Sequence, residues 1–353
     1  MSDIARELIE QVNDARAAKR TLEIVGGGSK RFMGRATGAD ETLDVGIHRG
    51  IVEYHPVELV LTARAGTPLV DIEAALAEHE QMLAFEPPTF EGGATLGGTL
   101  AGNQSGPGRP WRGSVRDAVL GIRLINGRGE HLRFGGQVMK NVAGYDVSRM
   151  QAGALGVLGV ITEISLRLLP KPAAGLTLVQ EMPADAAIVR MNELAGQPKP
   201  LSAACWHRGR LYLRLSGAAS AVQATAKQWG GEVLDDGDTF WASLREQQTD
   251  YFAGDEPLWR FSIKSSAPHW RADGDWLIDW GGAQRWLRGD QEFGELENEA
   301  RNAGGQVGLY RGGDRNGEVF ATPSPALQHL YRGLKNAFDP DRLFNPGRLY
   351  GWL

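Results

Sequence analysis

Two stretches of this chain carry glycine where side chains would be expected, and both could handle an anion. "IVGGGSKRFMGR" follows an apolar run, and "GGATLGGTLAGNQSG" follows "LAFEPP". Glycine is entropically costly to order and builds no core, so a local requirement for bare backbone is implied. Consecutive N–H groups unobstructed by Cβ atoms form concave anion nests. Two such loops facing each other would suit a ligand carrying a diphosphate. The plainer alternative is a pair of glycine-rich turns between strands.

Better-known anion motifs are excluded by spacing. In the GxG triplets at Gly26, Gly106 and Gly127 the position three beyond the second glycine holds Arg31, Trp111 or Leu132, so the Rossmann fingerprint fails. No Gly-Lys dipeptide occurs, which removes a Walker A loop. His79-Glu80 lacks a second histidine at zincin spacing. Cys205 is the single cysteine, so an intrachain disulfide, a CxxC zinc site and a four-thiolate iron–sulfur cluster are all ruled out. No metal site is expected, and electron transfer beyond an organic cofactor would need another chain. A formal net charge of −5 without a basic block argues against nucleic acid.

The 353 residues are ample for two domains. Glycine accounts for 47 of them, nearly twice the ordinary share of about 7%. The opening "MSDIARELIEQVNDARAAKR" sets Ile4, Leu8, Ile9 and Val12 on one helical face and has no signal-peptide apolar region, as in a cytoplasmic protein. The nearly apolar run Ala152 to Ile161 is too short to span a bilayer. From Thr21 to about Pro172, β-branched runs alternate with glycine clusters. Thr67-Pro68 reads as a helix cap with proline at the first helical position, and Leu69, Ile72 and Leu76 as a core-facing stripe. "DAVLGIRLI", Asn126-Gly127 and "EHLRFG" predict a hairpin, and "VLGVITEISLRLLP" a closing strand. From 173 to 322, runs such as "LTLVQ", "SAACWH", "RLYLRLS" and "LWRFSIK" alternate with helical patterns, which predicts an antiparallel sheet with helices on one face. That zone holds eight of the ten tryptophans: Trp206, Trp229, Trp241, Trp259, Trp270, Trp276, Trp280 and Trp286. They fit either its core and rim or a subunit-docking face. A last helix begins at Ser324-Pro325 and runs to about Phe338, with Asp/Asn-Pro turns after it.

In order, "IVGGGSKRFMG", "ARAGTPLVDIEAAL", "ATLGGTLAGNQSG…RGSVRDAVLGIRLINGRGE", "KNVAGYDVSRMQAGALGVLGVITEISLRLLP" and the closing "FDPDRLFNPGRL" resemble the FAD-binding domain of the vanillyl-alcohol oxidase and p-cresol methylhydroxylase (PCMH) type. The similarity covers about residues 20 to 172 and 325 to 350. "KNVAGYD" and the short second domain look most like the FAD-binding subunits of bacterial glycolate oxidases, heteromeric glycolate dehydrogenases. The resemblance implies an α+β fold: a two-part FAD-binding domain (1–172, with 323–353 returning to it) and a smaller antiparallel-sheet-and-helix domain (173–322). It places Gly26, Gly27, Gly28, Ser29 and Gly34 on the FAD diphosphate, with Thr95, Gly97, Gly98, Asn103, Ser105 and Gly106 completing the cradle. Ser114 and Asp117 match the next contact region, and Gly153, Gly156, Val160 and Ile161 would approach adenine and flavin through their backbone. The alternative for Gly153, Gly156 and Gly159 is close strand packing. Covalent members often use a histidine in the first loop; Ser29, Lys30 and Arg31 stand here, so noncovalent FAD is expected.

One departure concerns catalysis. Related D-2-hydroxy acid dehydrogenases carry a histidine-rich metal site with a "GDGN" element followed by His, whereas "YRGGDRNGEVF" has no histidine nearby. A base must reach the substrate hydroxyl as hydride leaves for the flavin. His207, His269 and His329 are candidates by region, and Arg210, Arg260 or Arg311 could clamp a carboxylate, but spacing selects none and no catalytic residue is assigned. The leading expectation is the FAD-binding subunit of a glycolate (2-hydroxy acid) dehydrogenase complex, with a homologous catalytic flavoprotein subunit and an iron–sulfur subunit as partners. A self-sufficient FAD-dependent D-2-hydroxy acid dehydrogenase and a non-catalytic, FAD-bound assembly subunit are the alternatives. The location expected is cytoplasmic, with any membrane contact made through partners.

Overall fold

The computed structural model describes residues 3–136, 146–270 and 274–353; residues 140–145 of the "KNVAGYD" stretch lie outside the described residues. The chain divides into two compact units. The first comprises Met1–Gln104, Ser114–Pro170 and Arg315–Leu353, and the second Ser105–Gly113 and Lys171–Asp314.

The first unit is built on a five-stranded antiparallel sheet. Its order is Ile51–His55, Val60–Arg64, Val160–Arg167, Val119–Ile125, His131–Gly135. The central strand Val160–Arg167 is buried along most of its length, with Thr162 and Ser165 buried beside its apolar residues and Glu163 and Arg167 partly exposed. The hairpin forms as its sequence predicts, with Asn126 Oδ1 accepting from the amides of Arg128 (2.9 Å) and Glu130 (3.0 Å). Helix Ala5–Ala18 buries Leu8, Val12 and Ala15, and helix Leu69–Ala77 buries Leu69, Ile72 and Leu76. These side chains join one core with Leu61, Phe85, Leu124 and Ile164.

The Thr67 cap is corrected. The helix starts at Leu69 with Pro68 in the cap position and no side-chain cap bond. Thr67 Oγ1 instead accepts from the amide of Gly50 at 2.8 Å and donates to the carbonyl of Arg64 at 2.7 Å, so the hydroxyl is spent on tying two loops together.

A short parallel pair, Leu22–Val25 with Glu41–Asp44, leads into the first glycine loop. Phe344 bridges to Leu22 from the far end of the chain. The last helix, Pro325–Phe338, is capped by Ser324 Oγ as its sequence predicts. Behind it Lys335 Nζ donates to the carbonyls of Val157 (2.7 Å) and Phe344 (3.0 Å) and to Asp339 Oδ2 (2.8 Å), with both side chains fully buried. Asp339 in turn accepts from the amides of Leu343 and Phe344 at 3.0 and 2.9 Å. Lys335 thereby ties the C-terminal segment to the Val157 carbonyl.

The second unit carries an eight-stranded antiparallel sheet. Its order is Glu232–Val233, Ala174–Glu181, Arg210–Gly217, Leu201–His207, Trp276–Asp279, Gln284–Arg288, Leu258–Ser262, Gln306–Arg311. Helices Ala184–Ala195 and Ala219–Trp229 cover part of it through Ile188, Met191, Leu194 and Val222. Trp229, Trp241, Trp259, Trp276, Trp280 and Trp286 are buried within this unit, so six of the eight tryptophans are core rather than docking surface. Among the described residues no helix is long and apolar enough to cross a membrane.

Candidate functional site

A cavity opens in the first unit between the two glycine loops, lined by residues from both. The strand Leu22–Val25 runs into one wall, and Gly26, Gly27, Gly28 and Ser29 continue it. The amides of these four residues donate to no protein acceptor among the described residues. Four consecutive donors left unmet at a cavity wall call for an anionic or carbonyl ligand. Gly28 has φ +73° with nothing within 4 Å of a Cβ position, whereas a Cβ on Gly27 would overlap the carbonyl oxygen of Gly93.

The opposite wall is different in kind. Thr95, Gly97 and Gly98 line it, yet the amides of Gly97 and Gly98 are engaged inside the protein. Gly97 N–H donates to the carbonyl of Ala65 at 2.7 Å, and Gly98 N–H to Thr95 Oγ1 at 3.3 Å. A Cβ on Gly97 would stand 2.7 Å from that of Ala65, so this glycine lets helix Leu96–Ala101 approach the sheet. The second loop therefore supplies space, and the first supplies donors.

Charge in the cavity is uneven. Lys30, Arg31 and Arg348 face one carboxylate, Glu23. Both arginines pair with it, Arg348 at 3.4 Å and Arg31 at 3.7 Å. Lys30 has no carboxylate partner among the described residues; its Nζ donates to Ser29 Oγ at 3.0 Å and lies 5.3 Å from the Phe90 ring centre. Burial lowers its ammonium to about 8. Apolar lining comes from Ile24, Val25, Val45, Ala65, Leu155 and Ile161.

The remaining expected residues separate. Gly156 and Ile161 line the cavity. Val160 is fully buried in the core. Gly153 (φ +88°) and Asn103 (φ 48°) pack on each other behind the wall, where Asn103 Oδ1 is buried without a partner. Gly34 packs on the carbonyl of Arg348, a Cβ there reaching 2.7 Å. Ser114 donates to Asp117 Oδ2 through its amide (2.9 Å) and hydroxyl (2.7 Å), a local cap for helix Val115–Ala118. Ser105 and Gly106 belong to the second unit, where the Gly106 carbonyl accepts from Trp280 Nε1 at 3.0 Å. None of Gly34, Asn103, Ser105, Gly106, Ser114, Asp117, Gly153 or Val160 lines the cavity.

Sequence reasoning did not place Lys30, Asn345 or Arg348 in the site, and weighed Gly159 only for strand packing; all four line the cavity. Asn345 accepts from the Ile24 amide at 2.8 Å and donates to the Leu155 carbonyl at 2.6 Å, riveting two walls together. Its signal was the closing "FNPGR", read as a turn and as part of the segment returning to the FAD domain, without Asn345 being singled out. Gly159 serves both alternatives, since it lines the cavity and a Cβ there would lie 2.8 Å from the Ile125 carbonyl oxygen. None of His207, His269 and His329 is among the residues lining the cavity, and among the described residues no three His, Cys, Asp or Glu side chains could hold a metal. Burial lowers the pKa of both His207 and His269, and each has one buried ring nitrogen without a partner.

Residues 4–135 match a family of FAD binding domains, and the cavity fits that dinucleotide. Unmet amides and an uncompensated ammonium suit a diphosphate, and an apolar lining suits flavin and adenine rings. The fold is that of alkyldihydroxyacetonephosphate synthase, a structure with TM-score 0.66 and 15% identity covering 97% of this chain and 75% of that one. Fold and site thus define a flavoprotein of the PCMH type whose cofactor is FAD. Over 351 residues the chain is 49% identical to glycolate oxidase subunit GlcE of Escherichia coli, covering 99% of both. It is 33% identical over 129 residues to glycolate oxidase subunit GlcD of Bacillus subtilis, 36% of this chain but 27% of that protein. The chain belongs to the family of glycolate oxidase subunit GlcE.

Proposed function

We propose that this chain is the FAD-binding subunit of a complex that oxidises glycolate, or a closely related 2-hydroxy acid, to the 2-oxo acid. The observation that carries the reading is the row of four acceptor-less amides at Gly26–Ser29 beside Lys30, in a chain that runs the full length of a glycolate oxidase subunit. These groups would hold the FAD diphosphate without a covalent bond. Thr95, Gly97, Gly98, Gly156 and Ile161 would shape the walls for the rings. Bound FAD supplies a two-electron acceptor for an alcohol carbon; the chain's own part is to bind it, orient it and keep water from it.

Electron transfer onward falls to partners: a homologous catalytic flavoprotein and an iron–sulfur subunit. The single cysteine supports that division, because a cluster needs thiolates from elsewhere. All seven histidines are described, and none lines the cavity, which favours the subunit reading over a self-sufficient dehydrogenase. The test is anaerobic visible absorbance of the purified chain and of the assembled complex, before and after glycolate. A flavin band that persists in the isolated chain and bleaches in the complex is the expected result. Bleaching in the isolated chain would place the whole reaction here. A chain purified without flavin, and unable to take it up, would overturn the proposal.

A further inference from the structure

A cavity that takes an anion carries a carboxylate in its wall, and physical chemistry demands a reason for it. Among the described residues Glu23 is the single acidic side chain lining the FAD cavity, beside Lys30, Arg31 and Arg348. It stands on strand Leu22–Val25, just before Gly26, the first of the four residues whose amides have no protein acceptor among the described residues. A negative side chain beside a diphosphate is repelled by it. Glu23 therefore lowers affinity for the ligand unless it holds a cation in place or makes bonds to the ligand itself.

Holding the arginines accounts for little of it. Glu23 Oε1 lies 3.4 Å from Arg348 Nη1 and Oε2 lies 3.7 Å from Arg31 Nη2. Both are longer than the about 2.7–2.9 Å of a close charge-assisted hydrogen bond. Arg348 is held by other bonds: its Nη2 donates to the Arg31 carbonyl at 3.4 Å, its amide to the Asn345 carbonyl at 3.1 Å, and its carbonyl accepts from the Arg35 amide at 2.8 Å. The Arg31 side chain is exposed, whereas that of Glu23 is only 23% exposed. An ionised carboxylate offers about four lone-pair sites, and one long contact on each oxygen leaves capacity on both. Such capacity on a mostly buried carboxylate at a cavity wall calls for donors on the ligand. The diphosphate has none, but the sugars on either side of it do.

We propose that Glu23 is a specificity-determining residue of the cofactor site, accepting hydrogen bonds from a pair of neighbouring sugar hydroxyls on the bound dinucleotide. Two such hydroxyls match two carboxylate oxygens that both have capacity, and each bond is charge-assisted. The ribose of the adenosine half and the ribityl chain of the flavin half both carry the required chemistry. The consequence is discrimination. The glycine loop by itself would take any diphosphate, whereas Glu23 repels a bare one and favours one that brings hydroxyls. This rests on the reading of the cavity as the FAD site.

The experiment is a calorimetric titration of the flavin-stripped, full-length chain with FAD, ADP, FMN and sodium pyrophosphate. Glu23→Leu should weaken FAD binding about 10- to 100-fold and leave pyrophosphate binding unchanged or tighter. Weakened ADP with unchanged FMN assigns the contact to the ribose; the reverse assigns it to the ribityl chain. Glu23→Gln keeps the shape and one acceptor oxygen without the charge. Its FAD affinity should fall between the parent and Glu23→Leu, and it carries the test should the leucine variant fail to fold. Equal or tighter FAD binding in a folded variant would show that Glu23 only offsets the arginines. A pyrophosphate affinity that falls as far as that of FAD would show that it only positions them. Either result overturns the proposal. The cofactor reading fails separately. A parent chain that takes up no FAD, yet binds ADP through Glu23, leaves the role of Glu23 standing and the cofactor wrong. A parent that binds FAD with an affinity indifferent to Glu23 does the reverse.

Discussion

Replacing Lys30 with methionine should weaken FAD binding and stabilise the flavin-free chain, two effects of opposite sign from one charge. The ammonium lies between the two glycine loops, its Nζ 3.0 Å from Ser29 Oγ and 3.7 Å from where a Cβ on Gly98 would stand. No carboxylate answers it among the described residues, and burial lowers it from 10.5 to about 8. A charge-assisted hydrogen bond to a phosphate oxygen contributes about 1.5–3 kcal/mol, so Lys30→Met should raise the Kd for FAD about 10- to 100-fold. Without flavin the charge opposes folding. At about 1.4 kcal/mol per pKa unit the full shift would be about 3 kcal/mol. Partial exposure and the lost contacts with Ser29 and Phe90 reduce the net gain to about 1 kcal/mol, or a Tm rise of about 2 °C.

The pH dependence follows with a definite sign. Because the folded pKa lies below the unfolded one, the unfolded chain binds more protons between about pH 8 and 10.5, and flavin-free stability rises with pH across that window. Binding of a diphosphate raises the Lys30 pKa again. FAD affinity should therefore be full below about pH 8 and fall as pH rises through it, a slope that Lys30→Met removes. Fluorescence titration of FAD into the stripped chain from about pH 6 to about pH 9, beside thermal melts, reads both effects. If Lys30→Met binds FAD within about threefold of the parent, or lowers the Tm of the stripped chain, Lys30 is not the countercharge for the diphosphate.

Two further outcomes are expected. Gly98→Val places carbon 3.2 Å from Thr95 Oγ1 and 3.3 Å from Lys30 Cε and pushes two methyl groups further into the site, so the folded chain should purify without flavin; stoichiometric FAD by absorbance would remove the cavity assignment. Lys335→Met leaves the Asp339 carboxylate buried without its cation and should cost about 3–5 kcal/mol by denaturant titration. A loss under about 1 kcal/mol would show that the buried pair does not hold the C-terminal segment.

Local signals were enough for many elements, because they need only neighbours in sequence. The stripe Leu69, Ile72, Leu76, the hairpin at Asn126-Gly127 and the Ser324-Pro325 helix start are each fixed by period, turn chemistry or cap. The first glycine loop was legible for the same reason: four side-chain-poor residues directly after a strand leave their amides unclaimed. Order of motifs along the chain also identified the family.

Tertiary structure decided what depends on distance between remote segments. Gly97 and Gly98 look like the first loop in sequence, but the Gly97 amide is taken by the Ala65 carbonyl, a partner that only folding brings near, and the Gly98 amide by the local Thr95 cap. Ser105 and Gly106 continue the same glycine run, yet a tryptophan 174 positions away claims the Gly106 carbonyl within the second unit. Asn345 looks like a turn residue until the Ile24 amide and the Leu155 carbonyl meet its side chain. Lys30 was one basic residue among 38. What sets it apart is the carboxylate it lacks among the described residues, and a missing partner can be seen only when the whole neighbourhood is in place.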